Sequence, residues 1–166
     1  MREGKVVSLD ELAERVLALK AAGKRVAHCH GCFDLVHPGH IKHLQAARRL
    51  ADALVVTVSP DRFVDKGPGR PAFAEQLRAE SVAALECVDY AAVNRWPTAE
   101  EAIRLVRPDY YVKGQEFERP ENRTEKLRRE VEALREVGGE MRFTHGFVSS
   151  STALLKHYFA APREDS

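Results

Sequence analysis

The sequence predicts an α/β protein built on a parallel, doubly wound sheet of about five strands. Three observations predict it. Short apolar runs, the clearest being Ala53 to Ser59 (ALVVTVS), are nearly continuous instead of alternating, as expected of strands covered on both faces. Other stretches carry apolar residues at helical spacing. The two kinds of segment alternate along the chain, which calls for right-handed crossovers and one layered core.

In order, Ser8-Leu9-Asp10-Glu11 reads as a capping box, and Leu12, Val16 and Leu19 follow at helical spacing. Gly23 ends that helix. Val26 to Cys29 is a strand that runs on to Gly31. Pro38 or Gly39 opens the next helix, with Ile41, Leu44, Ala47 and Leu50 on one face. After the strand at Ala53 to Ser59, Lys66-Gly67-Pro68-Gly69-Arg70-Pro71 is a loop. Phe73 to Glu86 is predicted helical and Val88 to Val93 a short strand. Thr98-Ala99-Glu100-Glu101 reads as a second capping box, opening a helix that stops before Pro108. Asp109 to Val112 is strand, Gly114 to Pro120 loop, Asn122 to Val137 a charged helix ended by Gly138-Gly139, and Glu140 to Thr144 the last strand. Ser150 or Ser151 caps a final helix through Phe159.

The chain has 166 residues, 44% hydrophobic and 31% charged, which fits one soluble globular domain over 1–166. An N-terminal helix occupies 1–24, an α/β core 25–160, and 161–166 is expected to be a frayed tail. The formal net charge is +1, so no global field attracts nucleic acid or an anionic membrane. No run approaches the ~18 apolar residues of a membrane span. Met1-Arg2-Glu3-Gly4-Lys5 leads into a charged helix instead of an apolar signal region, so a cytoplasmic chain is expected. Cys29, Cys32 and Cys87 are an odd number and suggest no disulfide framework.

The chemistry concentrates in Gly31-Cys32-Phe33-Asp34-Leu35-Val36-His37-Pro38-Gly39-His40. This stretch joins the first core strand to a helix start. Backbone N–H groups at a helix N-terminus point outward with partial positive charge and hold phosphate. His37 and His40, three apart at that start, share one face, and Gly39 lets a phosphate approach the backbone. In doubly wound sheets ligands bind at the carboxyl ends of the strands, which is where this loop falls.

The H-x-G-H pair preceded by G-C-F-D resembles the nucleotidylyltransferase superfamily that carries a His-x-Gly-His signature, with its Rossmann-like sheet. The likeness runs from about Val26 to His157. Within the superfamily the chain is most similar to the sugar-phosphate and polyol-phosphate branch, which includes heptose 1-phosphate adenylyltransferases and glycerol 3-phosphate cytidylyltransferases. The resemblance assigns His37, His40 and Lys66 to catalysis on a nucleoside triphosphate. It places Gly31, Cys32, Phe33, Gly39, Lys113, Gly114, Ser151 and Thr152 around the nucleotide. Asp34, Lys42 and Arg70 are expected at the acceptor. Lys42 has a counterpart in the glycerol 3-phosphate branch, and the K-G-x-x-R-P loop resembles the heptose 1-phosphate branch. Asp61 matches an acidic position after the second strand.

Each assignment has a plainer reading. Lys42 can be an exposed helix lysine, Asp34 a turn cap, Asp61 a structural acid, and Ser151-Thr152 a simple N-cap. The charged segment from Glu116 to Arg129 reads as a solvated helix face or as a lid. Two departures from the branch stand out. Gln115 follows Gly114 where the heptose branch carries Gly, and no Arg precedes Ser151, where only His145 offers a substitute. Cys29-x-x-Cys32 among several histidines also suggests zinc or redox work, although Cys29 falls in a strand and no second closing pair exists, so no metal ligand is assigned. The resemblance implies a transferase that joins a nucleoside monophosphate from ATP or CTP to a small phosphorylated sugar or polyol. It implies Mg²⁺ as companion of the triphosphate and allows a homodimer. A nucleotide-binding module without catalysis is the rival reading.

Overall fold

The computed structural model describes residues 4–146 and 150–159. The elements run α1 (Leu9–Ala21), β1 (Val26–Gly31), α2 (Pro38–Arg49), β2 (Ala53–Val58), α3 (Glu75–Ala83), β3 (Tyr90–Val93), α4 (Glu100–Val106), β4 (Tyr110–Gly114), α5 (Glu125–Glu136), β5 (Glu140–Thr144) and α6 (Ser151–Phe159). The five strands form one parallel sheet in the order β3-β2-β1-β4-β5. The chain winds outward from β1 to β3, then returns through α4 to pair β4 against the other side of β1. The direction of winding therefore reverses between β1 and β4, and a crevice opens at their carboxyl ends.

Both faces of the sheet are covered, which explains the unbroken apolar runs: all six residues of β2 are buried. Leu54, Val56 and Val58 pack with Leu44 and Ala47 of α2 and Ala79 and Val82 of α3. Ala53 and Val55 point the other way, with Leu12 and Val16 of α1 and Ala102 and Val106 of α4. A third cluster joins Ile103 of α4, Tyr111 of β4 and Leu127, Val131 and Leu134 of α5. At the sheet edge, the Val7 N–H donates to the Ala91 carbonyl (2.9 Å) and the Ala91 N–H to the Lys5 carbonyl (2.8 Å), so the segment before α1 shields β3.

Ser8 caps α1 as expected, its side chain accepting from the Glu11 N–H at 3.1 Å, but the box is not closed: the Glu11 carboxylate accepts from Arg15 Nε at 3.1 Å. The second box does not form. Thr98 Oγ1 donates to Glu100 (3.1 Å), Ala99 is the N-cap, and its N–H donates to the buried Glu130 carboxylate at 3.0 Å. The helix predicted from Phe73 to Glu86 is shorter, because the N–H groups of Ala72 and Phe73 bond Asp34 instead of starting a helix. Its far end is closed by Lys5, whose ammonium donates to the carbonyls of Ala83 (2.7 Å) and Leu85 (2.9 Å). The loop after β4 contains two 3₁₀ turns, Gln115–Phe117 and Pro120–Asn122, and α5 begins later than predicted, at Thr124, whose side chain accepts from the Leu127 N–H. Ser150 caps α6, accepting from the Ala153 N–H at 3.0 Å. The tail expected at 161–166 lies outside the described residues, as do Ser149 and the side chain of Ser151. No described helix is long and apolar enough to cross a membrane.

Candidate active site

A cleft of about 260 Å³ opens at the carboxyl ends of β1, β4 and β5. Its floor is the signature loop and the first turn of α2, and its walls come from the loops after β2, β4 and β5. Gly31, Cys32, Phe33, Asp34, Gly39, His40, Lys42, Lys66, Lys113 and Gly114 all line it. Segments read as separate parts of a site in the sequence thus meet in one place.

Local backbone chemistry positions the histidines. His37 is the N-cap of α2, and its Nδ1 accepts from the Gly39 N–H at 3.1 Å. With Nδ1 an acceptor, the neutral ring carries its proton on Nε2. That Nε2 is buried and has no partner among the described residues. The His40 ring stacks on the His37 ring at 3.9 Å, and its buried Nδ1 makes no hydrogen bond of regular geometry among the described residues, the Leu35 backbone acting on the ring only weakly against the effect of burial. Phe33 meets His40 edge-on at 5.1 Å. Phe33 holds the left-handed conformation (φ 49°), which non-glycine residues adopt at a cost of order 1 kcal/mol or more. Gly31 makes room for it, since a Cβ there would lie 3.1 Å from the Phe33 ring.

Buried polar atoms without partners are rare because each is costly. Among the described residues there are three on side chains: two on these adjoining imidazoles, of which His40 lines the cleft and His37 lies behind it, and the third on His28 Nδ1 in β1. Burial pushes the His40 pKa down to about 4, and the neighbouring His37, His43 and Lys66 add to that effect. Burial lowers His37 as well. Both rings are therefore neutral N–H donors near pH 7, in surroundings that favour an incoming anion.

Three lysines face the cleft. Lys66 is exposed and makes no ion pair among the described residues. Lys42 is exposed on the first turn of α2. Lys113 is half-buried, with its ammonium 3.4 Å from the His30 carbonyl and 5.1 Å from the centre of the Tyr111 ring. Burial lowers its pKa, partly offset by Glu130.

Asp34 and Arg70, both expected at the acceptor, pair with each other. The Asp34 carboxylate is fully buried and accepts from Arg70 Nε and from the Ala72 N–H (2.6 Å). Burial alone would raise its pKa, but Arg70 and the N–H groups of Ala72 and Phe73 outweigh that and hold it below the usual carboxylate range. This pair ties the signature loop to the loop that carries Lys66. Asp61 pairs with Arg78 at 2.7 Å. Thr152, exposed on α6, is not among the residues lining the cleft. The backbone of Ser151 opens that helix.

Sequence reasoning missed Arg78. It is 1% exposed and donates to the carbonyls of Cys32 (2.7 Å), Phe73 (2.9 Å) and Ser59 (2.8 Å) as well as to Asp61. It thereby holds the carbonyl just before the strained Phe33. A charged residue on the buried face of α3 was the available signal. His43, Thr144, Glu116 and Phe117 also line the cleft. His43 Nδ1 lies 2.6 Å from Thr144 Oγ1, and Nε2 lies 3.7 Å from Cys29 Sγ. Burial, with Lys113, brings the His43 pKa to about 4. The C-x-x-C does not gather ligands: among the described residues no three His, Cys, Asp or Glu are placed to hold a metal ion. Burial pushes the Cys29 thiol up to about 12. Among the described residues two carboxylates, Asp34 and Glu116, line the cleft, and Asp34 is engaged by Arg70.

The switch-point crevice, the histidine-bearing loop and the lysine-lined walls define an α/β protein of the nucleotide-binding kind. The chain belongs to the cytidylyltransferase-like family of nucleotidyltransferases, whose family model matches residues 28–157. Similar proteins include the bifunctional protein HldE of Bradyrhizobium sp. (strain ORS 278), 46% identical over 120 residues, and that of Trichlorobacter lovleyi, 40% identical over 117 residues. Those alignments cover 70% and 69% of this chain but 24% of each relative. The chain thus spans about a quarter of the length of the curated relatives it matches. Among solved structures, a lipopolysaccharide core biosynthesis protein from Thermoplasma volcanium superposes with a TM-score of 0.62 at 23% identity, covering 76% of this chain and 100% of that one. Pantoate-beta-alanine ligase from Francisella tularensis gives 0.59 at 12% identity, covering 88% and 68%. These likenesses establish the shared fold.

Proposed function

We propose that the chain transfers a nucleoside monophosphate from ATP or CTP to a small sugar phosphate, with release of pyrophosphate. The observation that carries this reading is the stacked His37–His40 pair at the start of α2, with its two buried nitrogens that lack a regular hydrogen bond among the described residues. A phosphate oxygen of the acceptor attacks the α-phosphorus and forms the new P–O bond. The bond to the bridging oxygen breaks, and pyrophosphate leaves with its electron pair. Such transfers need positioning and charge stabilisation more than covalent help. His37 Nε2–H and the His40 ring donate to the α-phosphate and the departing pyrophosphate. Lys66, on a loop held by Asp34, adds positive charge to the leaving group. Mg²⁺, when bound, would offset the charge of the triphosphate.

The K-G-x-x-R-P loop and the Val112-Lys113-Gly114 turn, both at the cleft, favour ATP and a heptose 1-phosphate-like acceptor. Lys42, also at the cleft, favours the second reading, CTP with glycerol 3-phosphate or another phosphorylated polyol. In both, the substrates are small molecules, with no role for nucleic acid or membrane. A panel of the four nucleoside triphosphates against sugar and polyol phosphates, followed by product mass, tests the reading. One productive pairing names both substrates. Nucleotide binding without product from any pairing points instead to a binding module.

A further inference from the structure

Two buried histidines of β1 share one hydroxyl. His28 and Thr57 are fully buried, and His30, which lines the cleft, keeps 7% of its surface exposed. Successive side chains of a strand alternate faces. Cys29 packs on the α2 side, so His28 and His30 point to the other face, where the His28 ring meets Tyr111 at 5.4 Å. Thr57 stands beside His30 in the β1–β2 register. Its Oγ1 lies 2.8 Å from His28 Nε2 and 2.8 Å from His30 Nδ1, and has no other partner among the described residues.

A hydroxyl carries one proton, so Thr57 donates to one of these nitrogens and accepts from the other. Burial keeps both rings neutral near pH 7, so each ring carries one proton as well. Two arrangements follow. If Thr57 donates to His28, the His28 proton sits on Nδ1, which is buried without a partner among the described residues. If Thr57 donates to His30, His28 Nε2–H donates to Thr57 and His28 Nδ1 is a bare lone pair. On the backbone, orphaned buried N–H groups are rarer than under-satisfied acceptors. The same preference selects the second arrangement. The Thr57 carbonyl acts on the His30 ring too, but more weakly than burial, Lys113, His28 or Lys126.

The second arrangement puts the His30 proton on Nε2. Among the described residues that nitrogen has only Ser59 Oγ nearby, at 3.4 Å, beyond the usual hydrogen-bond range. Lys113 adjoins the same spot, its ammonium 3.4 Å from the His30 carbonyl. A neutral N–H with capacity to spare, next to a cation, suits an anionic oxygen.

Building on the proposed transferase reading, we infer that His30 is a further binding residue that donates from Nε2 to a phosphate oxygen of the bound ligand, with Thr57 and His28 as positioning residues that fix its tautomer. The phosphate belongs either to the nucleotide or to the acceptor, and its chemistry is the same in both. Removing the Thr57 hydroxyl frees the His30 ring to carry its proton on either nitrogen.

The test reads the ring nitrogens and binding side by side. Nitrogen-15 spectra of the imidazoles at pH 7.5 report which nitrogen of each ring is protonated, and His30→Gln assigns the His30 signals. His30 is expected to be protonated on Nε2 alone. Thr57→Val should turn that single state into a mixture, and Thr57→Ser should restore it. Binding is measured calorimetrically for ATP and CTP with Mg²⁺, and for glycerol 3-phosphate and glucose 1-phosphate. Thr57→Val should weaken one class of ligand about 10-fold, the scale of a hydrogen bond to a charged group, and Thr57→Ser should recover it. Weaker nucleotide binding assigns the phosphate to the nucleotide, and weaker sugar- or polyol-phosphate binding assigns it to the acceptor. Melting temperatures confirm folding. If Thr57→Val does not fold, the His30 variants decide: His30→Gln, whose amide nitrogen reaches the Nε2 position, should retain more affinity than His30→Leu, which has no donor. A His30 proton on Nδ1, shared with the Thr57 hydroxyl or carbonyl, overturns the inference. So does unchanged binding in Thr57→Val and His30→Leu. A loss in Thr57→Val that Thr57→Ser fails to recover is a packing effect and overturns it too. If wild type binds none of the four ligands, the transferase reading itself falls, and this inference with it. If wild type binds them and His30 is protonated on Nδ1, only the inference falls.

Discussion

The imidazole of His40 stacks on that of His37 at 3.9 Å, and each ring keeps one buried nitrogen without a regular hydrogen bond among the described residues. In a folded chain such atoms are a standing cost that a bound anion removes. Replacing His40 by Ala removes a donor needed only when charge develops in the transition state. We expect turnover to fall by about 100-fold or more while melting changes little, since the His40 ring adjoins the open cleft. His37→Ala should do the same to turnover and also cost about 1 kcal/mol of stability, because it deletes the N-cap of α2. Steady-state rates beside thermal melts separate the two effects.

Acid sensitivity follows from the buried imidazoles. Burial holds His28 at about 3 and His30 well below the ordinary 6.5, and both are neutral in the folded protein. Unfolding frees them to bind protons below pH 6.5. The sign is therefore a loss of stability as pH falls from about 6.5 toward 4, not a gain. Each such group contributes about 1.4 kcal/mol per pH unit within that window. Asp34, held low, adds its own loss only below its ordinary value of 3.8. Urea unfolding at pH 7.5, 6.0 and 5.0 checks this, and a flat profile would contradict it.

Lys66 and Asp34 act on the same loop by different means. Lys66→Ala removes an exposed cation, so the rate should fall at least about tenfold with melting unchanged. Asp34→Ala strips the buried partner from Arg70 and should cost roughly 3 kcal/mol of stability, and lower the rate as well because the Lys66 loop loses its tie. A rate loss in Asp34→Ala with full stability would contradict the assignment of this carboxylate to the loop.

Arg78 should tolerate no substitution. Arg78→Met leaves the carbonyls of Cys32, Phe73 and Ser59 without their donor, and each acceptor left unsatisfied out of water costs about 1 kcal/mol or more. Arg78→Lys cannot restore the fork geometry. Both variants should melt well below wild type and lose turnover through the strained Phe33 loop. Normal activity in Arg78→Lys would show that the loop holds itself.

The sheet, its parallel order and the signature loop were legible because their signals are local: apolar runs, periodic faces and a strand-turn-helix around His37. The N-cap at Ser8 was equally local. The box at Thr98 misled, because its backbone N–H groups answer to Glu130, about thirty residues away in sequence, and a local pattern carries no trace of such a partner. The pairing of Asp34 with Arg70 was illegible for the same reason. Charges in loops declare their sign but not their partner. His43 and Thr144 were reachable from the sequence, since one lies a turn beyond His40 and the other ends a strand at the binding edge. Glu116 was hidden in a charged stretch whose solvent-facing and cleft-facing members differ only in three dimensions.

The most direct measurement is pyrophosphate release in the presence of Mg²⁺, pairing each nucleoside triphosphate with sugar and polyol phosphates, for wild type and His40→Ala. Release from one pairing, dependent on both substrates and lost in His40→Ala, is the predicted result. Nucleotide binding with no release from any pairing, or release that His40→Ala leaves unchanged, would contradict the account.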